Sequence, residues 1–305
     1  MEVPERTPLV ALPRLVERSV GRAALVALRP RQWAKNVLLF AGIVFAAELG
    51  DWSRWTDAVL AFGAYCAASS AGYLVNDVRD APHDRLHPVK RRRPIASGEL
   101  SRRAALWLAG GFAGLGLVSA ALLGSVSLLL LGGFLALQGA YTFGLKEIVL
   151  VDVVAIGTLF VVRAAAGAEA VDVPISPWLL LCTALLALFL ALAKRRGELV
   201  LVGAASTPGR PVLAGYSLVL VDRLVAVVAA SAVIAYSLYA LTAHGSKAMV
   251  LTIPFVCFGI LRYLVLVHRH DLGEEPEQVL LSDVPILVTV AAWAATAATI
   301  LAITG

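Results

Sequence analysis

A run of carboxylate and amide side chains lies between two long apolar segments of the chain. In the stretch "NDVRDAPHD", Asn76, Asp80 and Asp84 recur every four residues, and Asp77 lies beside Asn76. On a helix these side chains share one face. Carboxylates this close repel one another unless a cation lies between them, and ligand sets of oxygen alone favour Mg²⁺ or Mn²⁺. The spacing predicts a magnesium site formed by all four residues, which are also the predicted catalytic groups.

Pro82 lies inside this stretch and lacks an amide hydrogen, so we expect it to interrupt the helical hydrogen bonding close to Asp84. The alternative interpretation of the whole stretch is that its charges only end a membrane span. That alternative does not explain why three carboxylates would be held so close together.

Basic side chains follow the acidic stretch and recur near the ends of other apolar runs. "KRRRPIASG" begins at Lys90, and "LAKRRGEL" carries three cations to the end of a later apolar run. Arginine can bind phosphate through two parallel hydrogen bonds, so the pattern indicates phosphorylated substrates. The residues predicted to bind substrate are Gln32, Lys35, Lys90, Arg93, Tyr141, Lys146, Lys194, Arg195, Arg196 and Arg262.

The composition excludes a soluble protein. Of the 305 residues, 59% are hydrophobic and 15% are charged, and the mean hydropathy is +0.82, so the chain is predicted to be a polytopic membrane protein. Its three cysteines stand singly in apolar runs, which indicates neither a disulfide framework nor a zinc site. The net charge of +5 is explained by basic loops that face anionic membrane lipids, so we expect no nucleic acid partner.

The apolar runs predict an all-α membrane protein with nine transmembrane helices and an active-site cavity that faces the cytoplasm. Residues 1–32 form a cytoplasmic segment, with an amphipathic helix at 14–29, and residues 33–305 form the catalytic domain. The predicted spans are Trp33 to Leu49, Ala58 to Val75, Ala104 to Leu123, Val126 to Phe143, Ile148 to Ala168, Trp178 to Ala193, Leu224 to Ala243, Ala248 to Val267 and Val284 to Ile303.

Lysine and arginine are concentrated in alternate loops, beginning with the N-terminal segment and the loop after the second span. The positive-inside rule then predicts a multi-pass protein of the cell (inner) membrane with a cytoplasmic N-terminus and an external C-terminus. The charge-dense loops therefore meet cytoplasmic substrates. The sequence leaves open whether copies of the chain associate into a homo-oligomer.

At these motifs the sequence resembles the UbiA superfamily of intramembrane prenyltransferases. The matching elements are "RPRQWAKN" at Arg29 to Asn36, "NDVRDAPHD" at Asn76 to Asp84, and the "DRLHPVKRRRPIASG" that follows. Aromatic prenyltransferases of the superfamily carry a second aspartate-rich motif after the sixth span, whereas this chain has "LAKRRGELV" there. Basic residues in place of aspartates reverse the charge of that half of the predicted site. A positive charge there favours binding of an anion over binding of a second metal ion.

With "YTFGLKEIVLVDVV" and "DVPISPW", the chain is similar to a phosphoribosyl-transferring branch of the superfamily. The resemblance implies that Mg²⁺ is the cofactor and that 5-phosphoribose passes from phosphoribosyl pyrophosphate (PRPP) to a polyprenyl (decaprenyl) phosphate, releasing pyrophosphate. The product would be a precursor of the arabinose donor for the cell wall. Two alternatives remain: an aromatic prenyltransferase that uses a prenyl diphosphate, and a lipid or anion transporter.

Overall fold

The computed structural model describes residues 19–45, 51–87, 89–205, 211–242, 247–269, 279 and 282–304, and within these ranges every regular element is a helix. The α-helices are α1 (Val20–Leu28), α2 (Ala41–Phe45), α3 (Trp52–Asp84), α4 (Pro94–Ser97), α5 (Arg102–Leu123), α6 (Ser125–Phe143), α7 (Val151–Ala170), α8 (Pro177–Ala205), α9 (Leu218–Thr242), α10 (Ile253–Arg269) and α11 (Val284–Thr304). Five 3₁₀ helices accompany them: Pro30–Phe40, Lys90–Arg92, Leu145–Glu147, Pro211–Gly215 and Lys247–Thr252.

Eight helices in the described ranges are long and apolar enough to cross a membrane. They correspond to predicted spans two to nine, so the prediction of an all-α, multi-pass membrane protein is confirmed. The first predicted span, Trp33 to Leu49, lies on the 3₁₀ helix Pro30–Phe40 and on α2, and its last residues fall outside the described ranges. The predicted amphipathic helix begins as α1 at Val20, and residues 14–18 also fall outside those ranges.

The 33-residue helix α3 is longer than the predicted second span, and its extra turns carry the acidic stretch. Asp51 caps its first turn by accepting a hydrogen bond from the Ser53 amide at 2.8 Å. Pro82 removes one intrahelical hydrogen bond, but α3 continues to Asp84. Because Pro82 lies in the last turn, little helix remains to be disrupted after it. The predicted acidic face is therefore helical along its whole length.

The segment from α1 to α2 packs directly on the backbone of α7. A Cβ atom added to Gly167 would lie 2.1 Å from the Leu39 carbonyl oxygen, and one added to Gly42 would lie 2.7 Å from Ala168 Cα. Glycine at these two positions permits the close approach. On α1, the almost fully buried Ala23 and Ala27 face inward. The arrangement holds the N-terminal segment across the end of α3 that carries the carboxylates.

Two of the five apolar clusters in the described residues lie next to the polar residues of the helices. One contains Tyr65 on α3 and Leu131 and Phe134 on α6, while the other is built around Phe189 on α8 and Tyr263 on α10. In contrast, Trp107 on α5 is 83% exposed and Leu129 on α6 is 73% exposed. Outward apolar side chains of this kind are those that a bilayer covers. The first cluster joins α3 and α6 to α7, and the second joins α7 to α8, so α7 links the helices that carry the polar residues described next.

Candidate active site

The acidic stretch forms one polar face over the last turns of α3. Asp77 is 2% exposed and Asp84 is 5% exposed, whereas Asn76 and Asp80 are half-buried. The amide nitrogen of Asn76 donates to Asp80 Oδ2 at 2.9 Å, as the spacing of four residues requires. Buried carboxylates need charged or hydrogen-bonding partners.

Two arginines from outside α3 neutralise the buried carboxylates. Arg29 Nη2 lies 2.6 Å from Asp77 Oδ1, and Arg93 Nη1 lies 3.2 Å from the same oxygen. Arg93 Nη1 also lies 2.7 Å from Asp84 Oδ2. Arg29 ends α1 in the left-handed conformation, with φ of 56°, and the turn leads directly into the 3₁₀ helix. The N-terminal segment and the loop before α4 therefore converge on α3.

Lys146, from the short helix after α6, completes the cluster. Its Nζ lies 2.7 Å from Asp80 Oδ1 and 3.2 Å from the side-chain oxygen of Asn76. Three carboxylates thus face three cations that come from three different segments. The structure brings together six predicted site residues: Asn76, Asp77, Asp80, Asp84, Arg93 and Lys146.

The donor set fits a magnesium ion in its chemistry. Its ligand atoms are the carboxylate and amide oxygens that Mg²⁺ prefers, and they share one helix face. In the described part of the chain, no three acidic, histidine or cysteine side chains are grouped closely enough to hold a metal ion. The carboxylates of α3 pair with guanidinium and ammonium groups. Metal binding would therefore require these cations to change partners.

A second polar cluster surrounds Arg195 on α8. Arg195 is 1% exposed, its Nε lies 2.6 Å from Asp152 Oδ2, and Nη1 contacts the Glu198 carboxylate. The hydroxyl of Tyr216 donates to Asp152 Oδ1 at 2.6 Å. Arg195 Nη2 also approaches the Tyr141 hydroxyl at 3.5 Å. Tyr141 and Lys146 flank the end of α6, so this helix end contributes one residue to each cluster.

Burial and its hydrogen bond to Asp152 raise the pKa of Tyr216 to about 12. The hydroxyl therefore stays protonated at neutral pH and acts as a hydrogen-bond donor toward the buried carboxylate.

Two other predicted cations face different carboxylates. Arg196 Nε lies 2.8 Å from Asp222 Oδ1, and its Nη1 donates to the Val267 carbonyl at 3.0 Å. Arg262 Nη2 lies 2.8 Å from Asp283 Oδ2, and its hydrogen bond holds the pKa of Asp283 below the ordinary aspartate range. These pairs join α8 to α9 and α10 to the start of α11.

The remaining predicted residues lie on segments near the two clusters. Gln32 and Lys35 are half-buried on the 3₁₀ helix Pro30–Phe40, Lys90 begins the short helix after α3, and Lys194 is half-buried on α8. Their predicted roles in substrate binding stay predictions.

Arg79 and Tyr216 have roles that sequence reasoning missed. Arg79 lies inside the acidic stretch, where its Nη1 contacts the Thr142 carbonyl and its Nη2 lies 3.0 Å from Glu147 Oε1. The sequence did carry a signal for Arg79, because this residue lies two positions after Asp77 within the acidic stretch. Tyr216 had no such signal, because it is 64 residues from the aspartate to which it donates.

Arg163 lies inside α7 and is 4% exposed. Its Nε donates to Asn36 Oδ1 at 2.7 Å, and its guanidinium carbon lies 4.6 Å from the centroid of the Phe134 ring. Arg163 ties the N-terminal 3₁₀ helix to α6 and α7.

These features define an integral membrane protein with a buried cluster of acidic and basic groups at one end of its helices. A sequence model described as the UbiA prenyltransferase family matches residues 37–284, and the chain belongs to that family. Among solved structures with the same fold is a UbiA homolog from Archaeoglobus fulgidus bound to DMAPP and Mg²⁺. It has a TM-score of 0.70 and 20% identity, over 92% of this chain and 99% of that one.

Sequence relatives are closer. The decaprenyl-phosphate phosphoribosyltransferase of Mycobacterium tuberculosis is 37% identical over 279 residues, covering 88% of this chain and 91% of the relative. The protein of the same name from Mycolicibacterium smegmatis is 35% identical over 286 residues, covering 88% and 89%. The resemblance to the UbiA superfamily that the motifs indicated is thereby confirmed.

Proposed function

We propose that this protein transfers 5-phosphoribose from PRPP to a polyprenyl phosphate, such as decaprenyl phosphate, and releases pyrophosphate. The names of its sequence relatives support this activity. The observation that carries the proposal is that cations stand in both halves of the site. Arg29, Arg93 and Lys146 lie at the acidic face of α3, and the half-buried Lys194 lies on α8. A site that must hold two anionic substrates needs cations in both halves, because the phosphates otherwise repel each other.

The carboxylate face of α3 would hold the metal. Asn76, Asp77, Asp80 and Asp84 are its ligands in this proposal, and bound Mg²⁺ would neutralise the diphosphate leaving group. The cations that pair with these carboxylates, Arg29, Arg93 and Lys146, would then turn to phosphate oxygens. Each carboxylate would then face the metal ion, and each released cation would face a phosphate oxygen.

The acceptor needs no strong base, because a polyprenyl phosphate is already an anionic nucleophile at neutral pH. An oxygen of its phosphate bonds to C1 of the ribose as the bond from C1 to the diphosphate oxygen breaks. The electron pair of the broken bond leaves with pyrophosphate. Tyr141 and Lys146 flank the end of α6 and, with Lys194 of α8, are candidates for holding the acceptor phosphate, while Lys35 and Lys90 are candidates for the 5-phosphate.

The same proposal includes the arrangement of the chain in the membrane. PRPP is water-soluble, so the polar cluster would face the cytoplasm, with the N-terminus on that side and the C-terminus outside. The segment 33–49 would supply the first of nine spans in a catalytic domain of residues 33–305, preceded by an amphipathic segment that touches anionic lipid. The membrane would be the cell membrane.

The deciding experiment uses PRPP labelled in the ribose, Mg²⁺ and polyprenyl phosphate with purified protein. We expect label to enter the lipid phase only when all three are present. A parallel reaction replaces PRPP and the acceptor with a prenyl diphosphate and an aromatic acceptor, because solved relatives of the fold bind GPP or DMAPP. Product in the parallel reaction, with none in the first, would overturn the proposal.

A further inference from the structure

A groove of about 320 Å³ lies where α3, α5 and α6 meet. Its walls include Ala109 and Gly110 on α5 and Gly139 and Phe143 on α6. The side chain of Gln138 also lines the groove and packs against Gly72. A Cβ atom added to Gly72 would lie 2.1 Å from Cδ of Gln138. The lining is almost wholly apolar, so the groove suits a hydrocarbon chain.

Two glycines keep the groove open toward the bilayer. A Cβ atom added to Gly110 or to Gly139 would meet nothing within 4 Å. Leu106 and Phe143, which also line the groove, are 49% and 64% exposed. A chain could therefore enter sideways from the lipid phase, and a larger side chain at either glycine would occupy its path.

One end of the groove adjoins the polar cluster. Val75 and Thr142 line that end, and Val75 immediately precedes Asn76. The guanidinium of Arg79 lies over the Phe143 ring, 5.4 Å from its centroid, and contacts the Thr142 carbonyl. The mouth of the groove thus carries a cation that is 30% exposed.

We propose that this groove holds the isoprenoid chain of the acceptor, with its phosphate at the mouth near Arg79 and Lys146. The inference rests on the proposed function, because that function supplies an acceptor with one anionic head and one apolar chain. An apolar groove that ends at a cation and continues into the site has the matching chemistry. The groove thereby aligns the acceptor phosphate with the cluster on α3.

The first test labels the groove without any transfer reaction. Protein in lipid vesicles is irradiated with an isoprenoid phosphate that carries a diazirine in its chain, and the labelled peptides are mapped. We expect labelling within residues 106–113 and 135–143. Excess polyprenyl phosphate should suppress it, whereas excess phosphatidylglycerol should not. Equal suppression by both lipids, or labelling elsewhere, would overturn the proposal.

The second test fills the groove. Gly110→Leu and Gly139→Leu should each lower labelling about tenfold, since losing the contact of a few methylene groups weakens binding by that order. Gly111→Leu and Gly133→Leu are matched controls, because these glycines lie on the same helices, have nothing within 4 Å, and do not line the groove. Equal loss in all four variants would reject the groove as the cause.

The two proposals fail in different ways. Groove-specific labelling without transfer from PRPP would reject the proposed function and keep a binding site for an isoprenoid phosphate. Transfer with labelling elsewhere would reject the groove alone. A second copy of the chain could also cover the groove. In that case the wild type would not be labelled in the groove, and light scattering would show that Gly110→Leu dissociates an oligomer. That pair of results would make the proposal wrong.

Discussion

Nη1 of Arg93 lies 2.7 Å from Oδ2 of Asp84, so a cation from the loop before α4 occupies one carboxylate of the predicted metal site. The same guanidinium nitrogen lies 3.2 Å from Asp77 Oδ1. Carboxylates paired in this way bind a metal ion only if their cations find other anions. In the proposed function substrate phosphates would be those anions, so metal and diphosphate should assist each other's binding.

Mg²⁺ and pyrophosphate should therefore bind cooperatively to the purified protein. We expect each to raise the affinity of the other about tenfold, within the usual range of coupling between sites, and the factor should be reciprocal. Isothermal titration with each ligand alone and in the presence of the other, corrected for their association in solution, measures it. Arg93→Met should reduce the coupling, while Arg92→Met, which alters an exposed neighbour, should keep it. Independent binding by the wild type would contradict partner exchange.

Asp77→Asn and Asp80→Asn should each lower Mg²⁺-dependent transfer by about 100-fold or more, because each removes charge that the metal site requires. The rate of label transfer, measured over a series of Mg²⁺ concentrations, tests this expectation. Asp57→Asn is the matched control at the opposite end of α3 and should transfer at the wild-type rate. Wild-type turnover by both site variants would reject the metal assignment.

Arg195→Met should destabilise the protein rather than weaken substrate binding alone. Arg195 is 1% exposed and lies between Asp152 and Glu198, so its loss leaves buried carboxylates unpaired at a cost of about 3–5 kcal/mol. Thermal unfolding in detergent should show a clearly lower Tm, whereas Arg223→Met, at an exposed position on α9, should not change it. A variant as stable as the wild type, with only a raised KM for the acceptor, would instead show that Arg195 binds substrate.

Tyr216→Phe should change how stability depends on alkaline pH. The pKa of Tyr216 is raised to about 12 in the folded protein, whereas an unfolded tyrosine ionises near about pH 10. The contribution of the Tyr216 hydroxyl to the free energy of unfolding is therefore constant below about pH 10, and it is lost as the pH rises toward about 12. Tm measured from pH 9 to pH 11.5 should fall more steeply for the wild type than for Tyr216→Phe. Parallel curves of Tm against pH for the two proteins would contradict a raised pKa for Tyr216.

Gly167→Ala should strongly destabilise the N-terminal segment, because the added Cβ would lie 2.1 Å from the Leu39 carbonyl oxygen. The backbones of the 3₁₀ helix and α7 would have to separate. Gly63→Ala is the matched control, since a Cβ there meets nothing within 4 Å and alanine is the better helix former. A lower Tm for the first variant but not for the second is expected, and equal Tm values would contradict the close packing.

Local patterns in the sequence predicted much of the architecture. Apolar runs long enough to cross a bilayer predicted eight of the observed helices, and the four-residue spacing of Asn76, Asp80 and Asp84 predicted their shared face. Both inferences depend on residues close in the chain, so helical geometry alone is sufficient. The 3₁₀ conformation of Pro30–Phe40 was not predictable in this way, because it accompanies contacts with α3 and α7.

The amino-acid sequence alone determined a polytopic helical protein with one acidic helix face and several basic segments, because hydropathy and helical periodicity are local properties. Only the tertiary structure decided the partner of each charge. Arg29 and Lys146 meet Asp77 and Asp80 across 48 and 66 residues of chain. Arg195, which is predicted to bind substrate, lies between two carboxylates. Such pairs form where packed helices bring distant segments together, and spacing along the chain carries no record of that packing.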